Sequence, residues 1–240
     1  MAKFLLIAGH GHNLNNGTFD SGATGFIKKG EHNYFVEDFF PAMMKHMVEA
    51  DIKNTYFQTE YNVYSHNNLV ALNKQVGSNV VIEFHYDASS NANASGGHVI
   101  VYKDFKADVL DLAIRDVIAK HIGLAYPTHR GDKGISGRND LRNVNVSANG
   151  GVNYRLLELG FGTNKADADK MVNNVDAIAK SMVLAIYGRT KDSSTPTPTP
   201  KPTDDVLYKV QVGAYKDKNN AIKKEQELKK LGQDTYIVKE

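Results

Sequence analysis

Ser78-Asn79-Val80-Val81-Ile82-Glu83-Phe84-His85-Tyr86-Asp87 sets a short apolar run directly before a histidine. The arrangement recurs. Ala2-Lys3-Phe4-Leu5-Leu6-Ile7-Ala8 precedes His10, and residues 152–157 precede Glu158. Runs this short, bounded by turn residues, read as buried strands. Helical spacing fills the intervals. Residues 31–50 carry Phe35, Val36, Phe39, Phe40, Met43, Met44 and Met47 on one broad apolar face, and Pro41 predicts a kink or a break into two helices. Residues 52–58 and 98–102 read as further strands, and 65–76, 106–121 and 165–187 as helices. The alternation predicts an α/β fold, a mostly parallel twisted sheet flanked by helices on both faces.

Ligands of open α/β sheets bind outside the carboxyl ends of the strands, so His10, His85 and Glu158 are directed to one place. Glu31 follows the Gly-rich loop after the first strand. Two imidazoles and a carboxylate make a zinc site with an open water position, and a second, unligated carboxylate serves as base. That count fits His10, Glu31 and His85 as metal ligands and Glu158 as the catalytic base. The plain reading competes. A histidine after a strand is ordinarily a polar loop residue, and the chain has nine histidines. Glu158 as a simple edge carboxylate is harder to accept, because leucines flank it on both sides. A carboxylate in such a run is costly unless it is paired, metal-bound or catalytic. His32, beside Glu31, and His98, opening the strand after His85, are rival ligands. His85 is preferred because it ends a strand. His12 is a candidate for assisting an oxyanion, against an ordinary loop role.

Leu6-Ile7-Ala8-Gly9-His10-Gly11, Asp20-Ser21-Gly22-Ala23-Thr24-Gly25, Gly30-Glu31, Phe84-His85-Tyr86-Asp87-Ala88 and Leu157-Glu158-Leu159-Gly160-Phe161-Gly162-Thr163-Asn164 follow one another in order. As a set they resemble the zinc-dependent N-acetylmuramoyl-L-alanine amidases, the family of phage endolysins and bacterial autolysins that cleave peptidoglycan. The resemblance covers roughly residues 3–187. It implies one zinc ion held by His10, Glu31 and His85, with Glu158 catalytic. Two departures stand out. The family's first motif usually reads Asp-Pro-Gly-His-Gly, and Ile7-Ala8 replace its opening pair. The residue two after the third ligand is often Asn, and here it is Asp87. Neither removes a ligand; both alter the fine shape of the pocket.

Composition narrows the alternatives. Hydrophobic residues make up 41% and charged residues 23%, as in an ordinary globular protein with a core. Residues 1–189 hold 19 Lys and Arg against 19 Asp and Glu. Without a basic field, nucleic acid is not an expected partner. There is no cysteine, which excludes disulfides and thiol catalysis. No apolar run approaches a membrane span, so no membrane insertion is expected. Residues 4–8 are shorter than a signal-peptide core and read as the first strand. A wall hydrolase of this kind is expected to be made in the cytoplasm and released by lysis, a holin-type pore or another non-classical route.

Ser193-Ser194-Thr195-Pro196-Thr197-Pro198-Thr199-Pro200-Lys201-Pro202 marks a boundary. Alternating Thr-Pro favours an extended spacer at about 3 Å per residue. The expected organisation is a catalytic domain at 1–189, a Thr/Pro-rich linker at 190–204 and a small β-α-β module at 205–240. Tyr208-Lys209-Val210-Gln211-Val212-Gly213-Ala214-Tyr215 resembles the opening of the sporulation-related (SPOR) repeat, which binds peptidoglycan glycan strands. The complete repeat has two β-α-β halves, and this tail has one. About 35 residues bury little core, so the expected state is a monomer or weak self-association through the tail. The function these readings converge on is zinc-dependent hydrolysis of the amide between N-acetylmuramic acid and L-alanine, with peptidoglycan as partner. The alternatives are a zinc peptidase cutting the stem peptide and a non-catalytic wall-binding protein.

Overall fold

A computed structural model describes residues 3–191 and 218–230. Two compact units divide the chain, Met1–Thr197 and Pro198–Glu240. In chain order the first unit holds β1 (Phe4–Ala8), β2 (Gly11–His12), β3 (Phe19–Asp20), α1 (Glu31–Tyr34), a π turn (Phe35–Phe39), α2 (Phe40–Glu49), β4 (Thr55–Gln58), α3 (Val63–His66), α4 (Leu69–Val76) and β5 (Val80–Asp87). There follow β6 (His98–Tyr102), α5 (Val109–His121), β7 (Thr128–His129), β8 (Asp132–Lys133), β9 (Ile135–Arg138), α6 (Arg142–Asn149), β10 (Tyr154–Phe161), α7 (Lys165–Asn173) and α8 (Val175–Tyr187). In the second unit α9 (Lys218–Lys230) is described. The strands expected of the tail's β-α-β module lie outside the described residues.

Six strands form one sheet in the order β4-β1-β5-β10-β6-β9. Every neighbouring pair is parallel except β10 with β6. Strand alternation sends Leu6, Ala8, Ile82, Phe84 and Leu157 to a core shared with α2, α5 and α8. Leu5, Ile7, Val81 and Leu156 go to a second core with Leu69, Leu72 and Val144 of α4 and α6. Both faces are therefore covered, as near-continuous apolar strands require.

Helix 31–49 does not break at Pro41. It continues through the π turn, in which the Phe40 N–H donates to the Phe35 carbonyl. Pro41 has no N–H to offer, and its ring crowds the carbonyl four residues back. Widening the preceding turn accommodates both defects. Two other helices do divide. Left-handed Asn67 (φ 50°) separates α3 from α4, and Asn174 separates α7 from α8.

The segment 124–151, which carries no apolar period in sequence, holds β7, β8, β9 and α6. Arg130 and Gly131 turn the β7–β8 hairpin in left-handed conformations, and β9 pairs with β6 at the sheet edge. Its strands are too short, and α6 too polar outside Val144, to show a period. β5 and β10 also run past their expected ends, because they continue to pair beyond Glu158 and His85 through a bulge before Phe161. Arg155 of β10 is fully buried on the α5 face. Its Nε donates to Asp111 at 2.8 Å and its Nη2 to Asp108 at 2.8 Å. Those two aspartates form the capping box of α5.

Candidate active site

His10 leaves β1 through Gly9 and takes a left-handed backbone (φ 63°) that few side chains tolerate. This brings its ring over the sheet edge. Gly9 allows the approach: a Cβ there would overlap the His85 ring. Gly22 does the same from the opposite side, where a Cβ would press on His10 and Glu31. Glu31 opens helix 31–49 and is buried. Its Oε2 accepts from the Ala23 N–H at 2.8 Å and its Oε1 from the Tyr86 N–H at 3.3 Å. The carboxylate is thus fixed by backbone donors of two elements.

Around it the histidines converge. His85 Nδ1 lies 2.7 Å from Glu31 Oε1, and His10 Nε2 lies 3.4 Å from Glu31 Oε2. One donor atom from each of His10, Glu31 and His85 falls within 4.8 Å of the others. Two nitrogens and one oxygen at such spacing suit a divalent ion that keeps an open position. Burial alone would lower the pKa of His85, but the carboxylates of Glu31 and Glu83 outweigh it and hold the ring well above its ordinary range. The centre favours positive charge.

Both histidines are held from behind. His10 Nδ1 meets Asp20 Oδ2 at 2.7 Å, and His85 Nε2 meets Glu83 Oε1 at 2.9 Å. Neither carboxylate was singled out by sequence. Asp20 is one acid in an Asn- and Gly-rich loop, and Glu83 is a polar interruption in an apolar strand. The signal available for Glu83 was its i, i+2 relation to His85, which puts both on one face of β5.

Glu158 pairs in register with His85 on the adjacent parallel strand. It is not beyond the strand, as the run of residues before it suggests, but inside it, three residues from its end. Its Oε2 is buried with no hydrogen-bond partner among the described residues. Burial, partly opposed by His85, and the nearby carboxylates Asp87, Glu31 and Glu83 push its pKa well above the carboxylate range. An unpaired acidic oxygen thus lies beside the donor cluster.

The other histidines stand apart. His12 is exposed and packs on Phe19, with ring centroids 4.8 Å apart. His32 Nδ1 bonds the Gly9 carbonyl at 2.8 Å, away from the cluster. His98 requires a correction. It opens β6, but β6 is antiparallel to β10, so its first residue lies at the edge that carries the donor cluster, opposite Glu158. A histidine that opens an antiparallel strand thus reaches the same edge as one that ends a parallel strand. His98 Nδ1 faces Asp87 Oδ2 at 4.0 Å instead. Burial, and then Arg138, lower the His98 pKa to about 4, whereas burial and then Glu31 raise Asp87 to about 6.

Comparison with known proteins accords with this geometry. Residues 5–187 match the sequence profile of the N-acetylmuramoyl-L-alanine amidase family. A probable autolysin of Staphylococcus aureus is 37% identical over 201 residues, covering 78% of this chain and 38% of that protein. The chain thus spans well under half of that relative's length. The catalytic domain of an endolysin targeting Clostridia difficile has a TM-score of 0.60 at 20% identity, covering 79% of this chain and 99% of its own. An N-acetylmuramyl-L-alanine amidase from Mycobacterium smegmatis gives 0.58 at 17% identity, covering 78% and 95%. At such identities the structures speak to the fold, which they share. With its profile matched across the whole first sheet and its helices, the chain belongs to the N-acetylmuramoyl-L-alanine amidase family.

Proposed function

We propose that the first unit is a zinc-dependent hydrolase of the amide joining N-acetylmuramic acid to L-alanine in bacterial peptidoglycan. The observation that carries this reading is the convergence of His10, Glu31 and His85 within 4.8 Å, with Glu158 beside His85. In this reading His10 Nε2, Glu31 and His85 Nδ1 hold one zinc ion. When bound, the ion supplies a Lewis acid for the carbonyl and makes water acidic near neutral pH. Glu158 accepts the proton of the attacking water and returns it to the departing amine of L-alanine. Its buried setting suits a carboxylate that must both take and give a proton near neutrality.

The boundary is proposed at 1–189 for catalysis, with a Thr/Pro-rich linker at 190–204 and a wall-binding half-module at 205–240. The SPOR-like opening of the tail supports the last part, as does the helix Lys218–Lys230 that follows it. Peptidoglycan is the proposed partner, reached at the cell wall. Among the described residues no helix is long and apolar enough to cross a membrane. Mass spectrometry of digested peptidoglycan, with and without chelator, tests the reading. Expected products are glycan strands bearing unsubstituted lactyl groups and peptides with a free L-alanine amine, formed only without chelator. Cleavage inside the stem peptide would replace this reading by a peptidase.

A further inference from the structure

Glu83 has no part in the chemistry proposed above, yet it is the buried carboxylate closest behind the centre. It is 3% exposed. An ionised carboxylate in such a place is costly unless its lone pairs are engaged. Here they are. The Tyr154 hydroxyl donates to Oε2 at 2.6 Å, and Asn143 Nδ2 donates to Oε2 at 2.8 Å and to Oε1 at 3.1 Å. His85 Nε2 completes the set at 2.9 Å from Oε1. The donors come from three places, β10, the buried face of α6 and β5 itself, so the carboxylate cannot swing without breaking contacts to two other elements.

This arrangement has a consequence for the ring. A carboxylate is an acceptor, so the ring nitrogen it meets carries the proton. Both nitrogens of the metal-free ring meet carboxylates, Nε2 that of Glu83 and Nδ1 that of Glu31 at 2.7 Å, so a cation bound beside Glu31 would take the lone pair of Nδ1 and leave the proton on Nε2. His10 is the mirror image, with Nδ1 on Asp20 and Nε2 toward Glu31. The two supports differ in kind. The Asp20 side chain is 54% exposed, whereas that of Glu83 is 4% exposed. Water competes with the first and not with the second.

We infer that Glu83 is a positioning residue of the metal centre, clamped by Asn143 and Tyr154 so that His85 presents Nδ1 and keeps its proton on Nε2. The inference rests on zinc binding at His10, Glu31 and His85. Carboxylates behind ligating histidines set both tautomer and ring orientation, and losing one costs about 10–100-fold in metal affinity.

Two measurements on the full chain decide it. The first is the imidazole ¹⁵N spectrum of the zinc-loaded protein. His85 is expected with metal on Nδ1 and a slowly exchanging proton on Nε2, and His10 with metal on Nε2. Metal on Nε2 of His85 would overturn the inference without any variant. The second is zinc affinity by chelator competition in Glu83→Gln, with the melting temperature of the metal-free protein alongside. An affinity loss of about 10–100-fold is expected, together with a changed Nε2–H signal. A merely structural role would lower the melting temperature and leave both unchanged, and affinity within twofold of wild type would sink the proposal. Wild-type protein that takes up no zinc would instead remove the metal reading and this inference with it.

Discussion

Glu158 and Glu31 lie in one site but in opposite circumstances. Glu31 is bonded by backbone N–H groups of Ala23 and Tyr86, whereas Glu158 keeps a buried oxygen without a partner among the described residues. Glu158→Gln preserves shape and removes the proton acceptor, so turnover should fall by about 10²–10⁴-fold with zinc content unchanged. Loss of zinc in that variant would make Glu158 a ligand instead. Gly9→Ala should act the other way. Its methyl group must displace the His85 ring, at a cost of about 1–3 kcal/mol of overpacking, and metal analysis should find zinc depleted although every proposed ligand remains. His98 gives a pH signature. Its folded pKa of about 4 lies below the ordinary value of 6.5, so the unfolded chain takes up the proton first. The stability it contributes is present above pH 6.5 and is lost as pH falls toward 4. Metal-free wild type should thus lose up to about 3 kcal/mol relative to His98→Asn across that window. Asp87, present in both proteins, has the opposite slope, since its raised pKa of about 6 contributes stability at low pH. Denaturant titrations at both ends of the window measure the difference. The four proposed site residues were legible in sequence as an ordered set, His10, His85 and Glu158 after apolar runs and Glu31 after a Gly-rich loop. Glu83 and Asp20 were not, since an acid that supports another side chain has no pattern of its own.

At the scale of elements, the inner strands β1, β5, β6 and β10 were legible because burial on both faces makes them largely apolar. Strand direction was not. Nothing in His98-Val99-Ile100-Val101-Tyr102 says that it runs against β10, and the relation of His98 to the site depends entirely on that. β10 is also tied to α5 through Arg155, whose partners Asp108 and Asp111 cap that helix. Burial raises the pKa of Asp111, with the Arg155 guanidinium opposing the rise. Arg155→Met leaves Asp111 enclosed without its cation and should cost about 3–5 kcal/mol, read as a shift in the denaturant midpoint. A loss under 1 kcal/mol would mean that water reaches the aspartate. The segment 124–151 is illegible for a different reason: its two-residue strands and polar helix draw their order from contacts with neighbours, β7 on β8 and β9, β9 on β6 and α6 on β6 and β10, not from their own period.

For the molecule as a whole, the Thr-Pro stretch separates every proposed catalytic residue from the tail. A chain of residues 1–189 should hydrolyse small soluble muropeptides as well as the full chain. On intact walls it should be slower, because tethering raises the effective concentration of enzyme near its bonds. Equal pull-down on walls would leave the tail without a binding role, and lost activity on soluble substrate would misplace the boundary. The position of the site in the sheet has one more consequence. His85 and Glu158 stand on β5 and β10, each bonded on both sides, and amides in such strands exchange with solvent only when the domain opens globally. Asp20 ends the β2–β3 hairpin with its Asn-rich turn, and His10 directly precedes that hairpin, a segment of the kind that opens on its own. Escape of a bound ion therefore belongs to a small local fluctuation that exposes little surface. Its rate into chelator should hardly change with urea below the unfolding transition, while exchange of the β5 and β10 amides climbs steeply: the centre would empty through its hairpin long before its floor gives way.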